Sequence, residues 1–136
     1  MGLDGADSLA GVGGDDTLYG GNGDDYLNAG NDNDVVVGGE GGDLLYGGFS
    51  GSDIFRYDSV ADSRIDGVGN NRDTIMDFSF GDKVDLRAVH TSGLDAFTLI
   101  HFGGNEYVRV DQGGDGGIDM EIVVIGSGPA AGDILW

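Results

Sequence analysis

Apolar residues recur at a fixed interval in the first half of the chain. The interval is nine residues, with a last step of ten, and it relates Leu9, Leu18, Leu27, Val36, Leu45 and Phe55. A copy of nine residues can hold one three-residue strand and one tight turn, which carry the chain halfway around a flattened coil. We therefore expect a full coil to take two copies, with one inward apolar side chain from each copy forming a thin core.

Aspartate and glycine keep the same register. Two residues before the apolar positions stand Asp7, Asp16, Asp25, Asp34, Asp43 and Asp53, and two residues before most of these stands a glycine. Residues 20–28 and 38–46 read Gly-Gly-x-Gly-x-Asp-x-apolar-x, the nonapeptide pattern of the parallel β-roll. Glycine suits turns that need positive φ and close backbone approach. In the fourth copy Asp32 replaces the usual glycine, and aspartate tolerates left-handed φ better than most residues.

A disordered acidic linker is the alternative explanation of a stretch rich in glycine and aspartate. A linker has no reason to hold aspartate, glycine and apolar residues in register through six copies. The register therefore favours a folded roll.

Stacking would place aspartates from alternate copies at the same edge of the roll. One stack would contain Asp7, Asp25 and Asp43, and the other Asp16, Asp34 and Asp53. Stacked coils lie about 4.8 Å apart. Calcium takes oxygen ligands at about 2.3–2.6 Å, so an ion fits between two such carboxylates, with turn carbonyls completing its shell.

Charge supports a cation as the partner. The chain has 25 acidic and 6 basic residues, and residues 1–55 contain ten aspartates and Glu40 without any basic residue. This balance disfavours nucleic acid and anionic membranes as partners. There is no cysteine and no apolar run long enough for a transmembrane helix. Neither membrane insertion nor a cleaved N-terminal signal is expected.

The copies resemble the RTX, or haemolysin-type, calcium-binding repeats. Residues 51–87 and 114–126 further resemble the C-terminal domain of the serralysin metalloproteases. This resemblance implies calcium ligation by the repeat aspartates and by turn carbonyls, here those of Gly5, Gly14, Gly21, Gly23, Gly30, Gly39, Gly41 and Gly48. It also implies ligands after the roll at Asp62, Asp73 and Asp82, although ordinary turn aspartates remain an alternative for each.

The second half also reads as β-structure. Short β-rich runs at 98–102, 106–111 and 121–125 are separated by glycine-containing turns. We expect an all-β fold, in which a parallel β-roll over residues 1–57 continues into an antiparallel, β-sandwich-like cap over residues 58–136.

Catalytic motifs are missing. His90 and His101 stand apart without zinc-ligand spacing, and no Gly-x-Ser-x-Gly elbow occurs. The chain is therefore expected not to be an enzyme. Its last four residues, Asp-Ile-Leu-Trp, resemble the uncleaved type I export signals of serralysins, although an ordinary closing strand is an equal alternative.

Two functions follow. The first is a module that folds on extracellular calcium, supports type I export and serves an upstream domain of a larger secreted protein. Its expected partners are several calcium ions, the type I export machinery and that upstream domain. The alternative is a polysaccharide-binding accessory domain similar to the R-modules of mannuronan C5-epimerases. A basic groove would favour the alternative, yet the six basic residues show no repeat spacing.

Overall fold

The computed structural model describes residues 1–65, 71–90 and 95–136. Two short 3-10 helices, Val60–Ser63 and Ala131–Asp133, accompany the strands in this part of the chain. The strands are β1 Ser8–Gly13, β2 Thr17–Asn22, β3 Tyr26–Asn31, β4 Val35–Glu40, β5 Leu44–Gly48, β6 Ile54–Arg56, β7 Thr74–Phe78, β8 Lys83–Asp85, β9 Ala96–Phe102, β10 Asn105–Asp111, β11 Met120–Gly126 and β12 Ile134–Leu135. None of the described helices is long and apolar enough to span a membrane.

Successive strands of the roll alternate between two sheets. The seven-stranded sheet has the order β1-β3-β5-β7-β11-β10-β9, and the five-stranded sheet has the order β12-β8-β6-β4-β2. Parallel pairing sets Leu9 beside Leu27 and Leu27 beside Leu45. Each strand therefore pairs with the strand two copies later, so one full coil takes two copies. This pairing confirms the predicted β-roll.

The roll strands are longer than the sequence predicted. Strands β1 to β5 contain five or six residues instead of three. They extend into the glycine positions, where Gly21 pairs with Gly39 and Gly30 with Gly48. Identical backbone conformations stack in register from coil to coil, so hydrogen bonding continues through segments that were expected to be turns.

Both sheets continue beyond residue 57. Strand β7 pairs in parallel with β5, and β8 pairs in parallel with β6. No break in either sheet coincides with the proposed boundary, and the division into 1–57 and 58–136 stays a prediction.

The antiparallel part extends the seven-stranded sheet. Strands β9 and β10 form a hairpin whose turn residues Gly103 and Gly104 have φ of 65° and 89°. Strand β10 pairs antiparallel with β11, which joins β7 in parallel. At the edge of the other sheet, β12 pairs with β8. The cap is thus built onto both sheets of the roll.

The core is thin in the roll and heavier in the cap. Leu27 and Val36 are fully buried between the two roll sheets. Phe55 and Phe78, whose ring centroids lie 6.2 Å apart, begin the larger apolar cluster that continues under β10 and β11. In the degenerate fourth copy, Asp32 has φ of 77°, as its replacement of glycine predicted.

Candidate metal site

Each edge of the roll holds a column of aspartates linked by hydrogen bonds. Within a column, the backbone N–H of one aspartate donates to Oδ1 of the aspartate two copies later. These bonds run from Asp7 to Asp25 at 2.7 Å, Asp25 to Asp43 at 2.8 Å, Asp16 to Asp34 at 2.7 Å and Asp34 to Asp53 at 3.0 Å. The two predicted stacks are therefore present, but one oxygen of each later carboxylate is bound to backbone.

Two aspartates from beyond the repeats extend the columns. Asp43 N–H donates to Asp73 Oδ1, and Asp53 N–H donates to Asp82 Oδ1, both at 3.0 Å. Asp62 is not part of either column. Its Oδ2 accepts the N–H groups of Asp58 and Ser59 at the start of a 3-10 helix.

The second carboxylate oxygen is the unusual feature of the columns. Oδ2 is buried without a hydrogen-bond partner in Asp16, Asp25, Asp34, Asp43 and Asp73. A buried polar atom without a partner is costly, and a buried charge more so. Because a cation would supply the missing partner, the donor set fits a hard divalent ion that prefers oxygen ligands. Asp82 differs, since its Oδ2 accepts the N–H of Ser79 at 2.7 Å.

Burial makes the carboxyl groups of Asp43, Asp53 and Asp73 reluctant to ionise in the absence of a cation. Desolvation, reinforced by neighbouring carboxylates, raises the pKa of Asp43 to about 7 and that of Asp53 to about 6. The same causes raise the pKa of Asp73 well above its ordinary value. Asp62 contributes to this effect, because its charge opposes ionisation of both Asp43 and Asp73.

Glycine is required where backbone from adjacent coils meets. All eight glycines predicted from the sequence to contribute carbonyls have positive φ. At Gly39 a Cβ would collide with the carbonyl oxygen of Gly21, and at Gly41 with that of Gly23. The carbonyl oxygens at the second and fourth positions of the nonapeptide therefore lie tightly against the neighbouring coil.

A further glycine position, the first of each copy, was not singled out from the sequence. A Cβ on Gly20 would meet both Asp25 Oδ2 and the carbonyl oxygen of Gly38. This close approach brings a carboxylate oxygen without a partner and a backbone oxygen to the same place, as a cation site requires. The signal was visible as the glycine that begins five of the six copies.

Comparison with known proteins agrees with this geometry. The RTX calcium-binding nonapeptide repeat model matches residues 1–36 and 29–63. The solution structure of the AlgE6R3 subunit of the Azotobacter vinelandii mannuronan C5-epimerase is 32% identical, with a TM-score of 0.75, over 99% of this chain and 80% of that chain. The chain belongs to the RTX calcium-binding nonapeptide repeat family.

A second solved structure supports the assignment of this RTX module. The AlgE6R2 subunit of the same A. vinelandii enzyme is 26% identical, with a TM-score of 0.64, over 95% of this chain and 91% of that chain. A comparison with curated proteins finds no significant sequence match. Both structures are R-modules, the alternative that the sequence ranked second, whereas the serralysin resemblance stays a prediction.

The family establishes the general function of the chain. The RTX module binds calcium and is a non-catalytic accessory module of secreted, extracellular proteins. Within the described ranges no three His, Cys, Asp or Glu side chains gather into a metal site. A site that combines one or two carboxylates with backbone carbonyls would not form such a cluster.

Two supporting contacts of the RTX module were not predicted from the sequence. Asp24 Oδ1 accepts the N–H of Gly42 at 3.0 Å, so aspartates just before the column residues also link coils. Asp77 binds the N–H groups of Gly47 and Gly48 through its two oxygens. This carboxylate takes the place that a further glycine pair would have in the next coil.

The two histidines lie outside the columns. His101 Nδ1 lies 2.7 Å from Glu106 Oε1 on the exposed hairpin. The His90 ring packs edge-on against Trp136, with ring centroids 4.6 Å apart.

Proposed function

We propose that the RTX module is a calcium-dependent folding scaffold whose aspartate columns bind the ions. The observation that carries this proposal is the set of five buried Oδ2 atoms without hydrogen-bond partners. The carboxylates of both columns, with Asp62 beside Asp43 and Asp73, would hold the ions together with the turn carbonyls of the eight glycines. Asp82, whose two oxygens both accept N–H groups, closes its column and is a weaker ligand.

Electrostatics makes the ion a condition of folding. Two unit charges about 4 Å apart repel by about 4 kcal/mol at an effective dielectric of 20. The columns stack such charges in a region that contains no basic residue before Arg56. The thin core offers little compensation, since burying one leucine contributes only about 1.5–3 kcal/mol. The roll should therefore stay unfolded in calcium-poor cytosol and fold at extracellular calcium, about 10⁻⁴–10⁻³ M for such modules.

A fluorescence titration tests this coupling between the ion and the fold. Trp136 is the only tryptophan, and its ring packs 5.2 Å from Phe97 and next to His90. Adding calcium to the chelated protein should shift the emission of Trp136 to shorter wavelength in one cooperative transition. Magnesium, which is smaller and dehydrates reluctantly, is the matched control and should act only at far higher concentration. Emission that does not respond to calcium would refute the scaffold.

The same proposal assigns residues 133–136 as an export signal that is exposed only before folding. In the folded chain Ile134 is buried, β12 pairs with β8, and Asp133 forms an ion pair with Lys83. Such a tail is available to an exporter only while the module is unfolded. Calcium outside the cell would then fold the module and bury the tail.

An export assay tests the signal. In a bacterium that carries a type I exporter, removing residues 133–136 should abolish export of the chain. Lys83→Ala removes the ion pair with Asp133 but keeps the tail sequence, so this variant should still be exported. Equal export with and without residues 133–136 would refute the export signal and would leave these residues only a structural role as the closing strand.

Polysaccharide binding is the second candidate function. It is favoured by the similarity to R-modules of a mannuronan C5-epimerase along nearly the whole chain. Affinity electrophoresis in gels containing mannuronan, with calcium present, tests this candidate. Retardation of the chain relative to a protein of similar charge supports it, and equal mobility contradicts it.

A further inference from the structure

Asp73, the last aspartate of its column, is fixed by hydrogen bonds to three separate segments. Its N–H donates to Ser63 Oγ at 2.8 Å, and its carbonyl oxygen accepts the N–H of Val123 at 3.0 Å. Its Oδ1 accepts the N–H of Asp43. Ser63 Oγ donates in turn to the carbonyl oxygen of Glu121 at 2.7 Å. The roll, the short helix that contains Ser63 and strand β11 therefore meet at one buried aspartate.

A buried tyrosine lies beside the carboxylate of Asp73. Tyr57 is 1% exposed, its ring packs in the core cluster, and its backbone N–H donates to the carbonyl oxygen of Asp85 at 3.0 Å. The hydroxyl of Tyr57 is buried without a hydrogen bond of good geometry, and so is Oδ2 of Asp73. Because unpaired buried polar atoms are rare, two neighbouring ones indicate a shared partner where the roll passes into the cap.

The phenol of Tyr57 is available to Asp73 as a hydrogen-bond donor. Burial, followed by the charges of Asp73, Asp43 and Asp62, raises the pKa of Tyr57 well above its ordinary value, so the hydroxyl keeps its proton. Burial and the charge of Asp43 raise the pKa of Asp73, whereas the N–H of Asp43 and the hydroxyl of Tyr57 lower it. Asp25 in the repeats is influenced instead by a backbone N–H and by other aspartates. The junction thus adds a neutral donor that favours the ionised carboxylate.

We infer that Tyr57 is a positioning residue for the calcium site that Asp43 and Asp73 share, an inference that rests on the proposed folding scaffold. Its hydroxyl holds the carboxylate of Asp73 in the orientation in which Oδ2 can bind the ion. Hydrogen bonds that orient a metal ligand in this way typically contribute about 10–100-fold to metal affinity. The alternative is an ordinary core tyrosine, whose ring packs and whose hydroxyl has no influence on the ion.

A double-mutant cycle of calcium titrations, followed by circular dichroism, tests this role. Tyr57→Phe keeps the buried ring and should raise the calcium midpoint of folding about threefold, because one weakened site is averaged with the other sites. In the Asp73→Asn background the same substitution should add almost nothing, since the hydroxyl acts through that carboxylate. In the Asp16→Asn background, in the other column, it should again add about threefold. Tyr46→Phe, at a partly buried ring that packs on Tyr26, is the matched control and should behave like the wild type.

The near-ultraviolet absorption of Tyr57 provides a readout that a packing role would not change. In saturating calcium, the spectrum of the wild type minus that of Tyr57→Phe is the absorption of this one tyrosine. A phenol that donates a hydrogen bond to an ionised carboxylate absorbs at longer wavelength. The same difference spectrum measured in the Asp73→Asn background should therefore lie at shorter wavelength.

The possible outcomes separate this role from the scaffold. A wild type that does not fold on calcium would overturn both. If the wild type folds on calcium, an unchanged midpoint for Tyr57→Phe, or an equal effect of Tyr57→Phe in the Asp73→Asn background, would overturn only the role of Tyr57. A Tyr57→Phe variant that stays unfolded in saturating calcium would show that the hydroxyl is needed for the fold itself, and would also refute the positioning role. A Tyr57 spectrum that does not respond to Asp73→Asn would contradict the hydrogen bond.

Discussion

The backbone N–H of Asp43 donates to Oδ1 of Asp73 at 3.0 Å, across thirty residues of sequence. Within the repeats the same bond joins residues only eighteen or nineteen apart. The aspartate column therefore crosses from the last repeats into the cap without a change in its geometry. Asp73 Oδ2 is also buried without a hydrogen bond of good geometry, and the nearby Tyr57 hydroxyl is the one neighbour of this carboxylate that the repeat aspartates lack.

Asp73 should accordingly contribute to the calcium response although it lies outside the repeats. Asp73→Asn keeps an oxygen for the N–H of Asp43 but removes the second carboxylate oxygen. We expect the calcium midpoint of folding to rise roughly tenfold, as for the loss of one charged interaction. Asp58→Asn, at a half-exposed carboxylate, is the control. Identical midpoints for the two variants would exclude Asp73 as a ligand.

Neighbouring aspartates in one coil separate a ligand role from a structural role. Asp24 and Asp25 each accept a backbone N–H from an adjacent coil. Of the two, only Asp25 has a buried Oδ2 without a partner. Asp25→Asn should raise the calcium midpoint several-fold, and Asp24→Asn should leave it nearly unchanged. Calcium titrations followed by circular dichroism measure both, and a larger effect at Asp24 would contradict the assignment of the columns.

Space for a side chain should decide the effect of glycine replacement. Gly20→Ala places a methyl group against Asp25 Oδ2 and the Gly38 carbonyl, whereas Gly13→Ala meets nothing within 4 Å. Neither glycine has positive φ, so backbone strain does not confuse the comparison. The Gly20 variant should lose about 1–3 kcal/mol of stability in calcium, in line with overpacking, and the Gly13 variant much less. Chemical denaturation measures the difference, and equal losses would contradict the close packing at Gly20.

The calcium-free fold should be most stable in acid. The folded pKa values of Asp43, about 7, and Asp53, about 6, lie above the ordinary value of 3.8. Groups with raised folded pKa values contribute stability that is complete below about pH 4 and is lost as the pH rises through 6–7. Any fold that remains in chelator should therefore be confined to acid, with a Tm that falls as the pH rises from 4 to 6 and no folded state left near pH 7.5. In contrast, calcium affinity should rise over this range because protons compete for the same oxygens. A Tm that rises with pH in chelator would contradict this assignment.

The cap should be needed for the roll to fold. Removing residues 58–136 deletes β7 and β8, which pair with β5 and β6, and deletes the last rung of both columns. It also exposes strand edges and the end of the core. Residues 1–57 should stay largely unfolded at calcium concentrations that fold the full chain. If circular dichroism gives the same midpoint for both, the roll nucleates itself.

The repeat pattern predicted those features of the fold and the site that depend on the nine-residue periodicity. The two-copy coil, the two aspartate columns and the positive φ of Asp32 all follow from the register of Asp, Gly and apolar residues. In each column, one carboxylate oxygen accepts a backbone N–H and the other is left without a partner. This arrangement could not be predicted, because it depends on how the coils stack. The meeting of Arg72 and Arg109 at Glu121 was also invisible, since these residues come from separate segments without any repeat spacing. The role of Asp77 depends in the same way on which strand continues the sheet.

Circular dichroism of the full chain in millimolar calcium and in excess chelator tests the central claim most directly. At pH 7.5 the calcium-bound chain should show a β-sheet spectrum, and chelation should convert it reversibly to a largely disordered spectrum. Readdition of calcium should restore the β-sheet signal in a single transition. A β-sheet spectrum that survives complete removal of calcium would show that the fold does not depend on the ions, and would contradict the account.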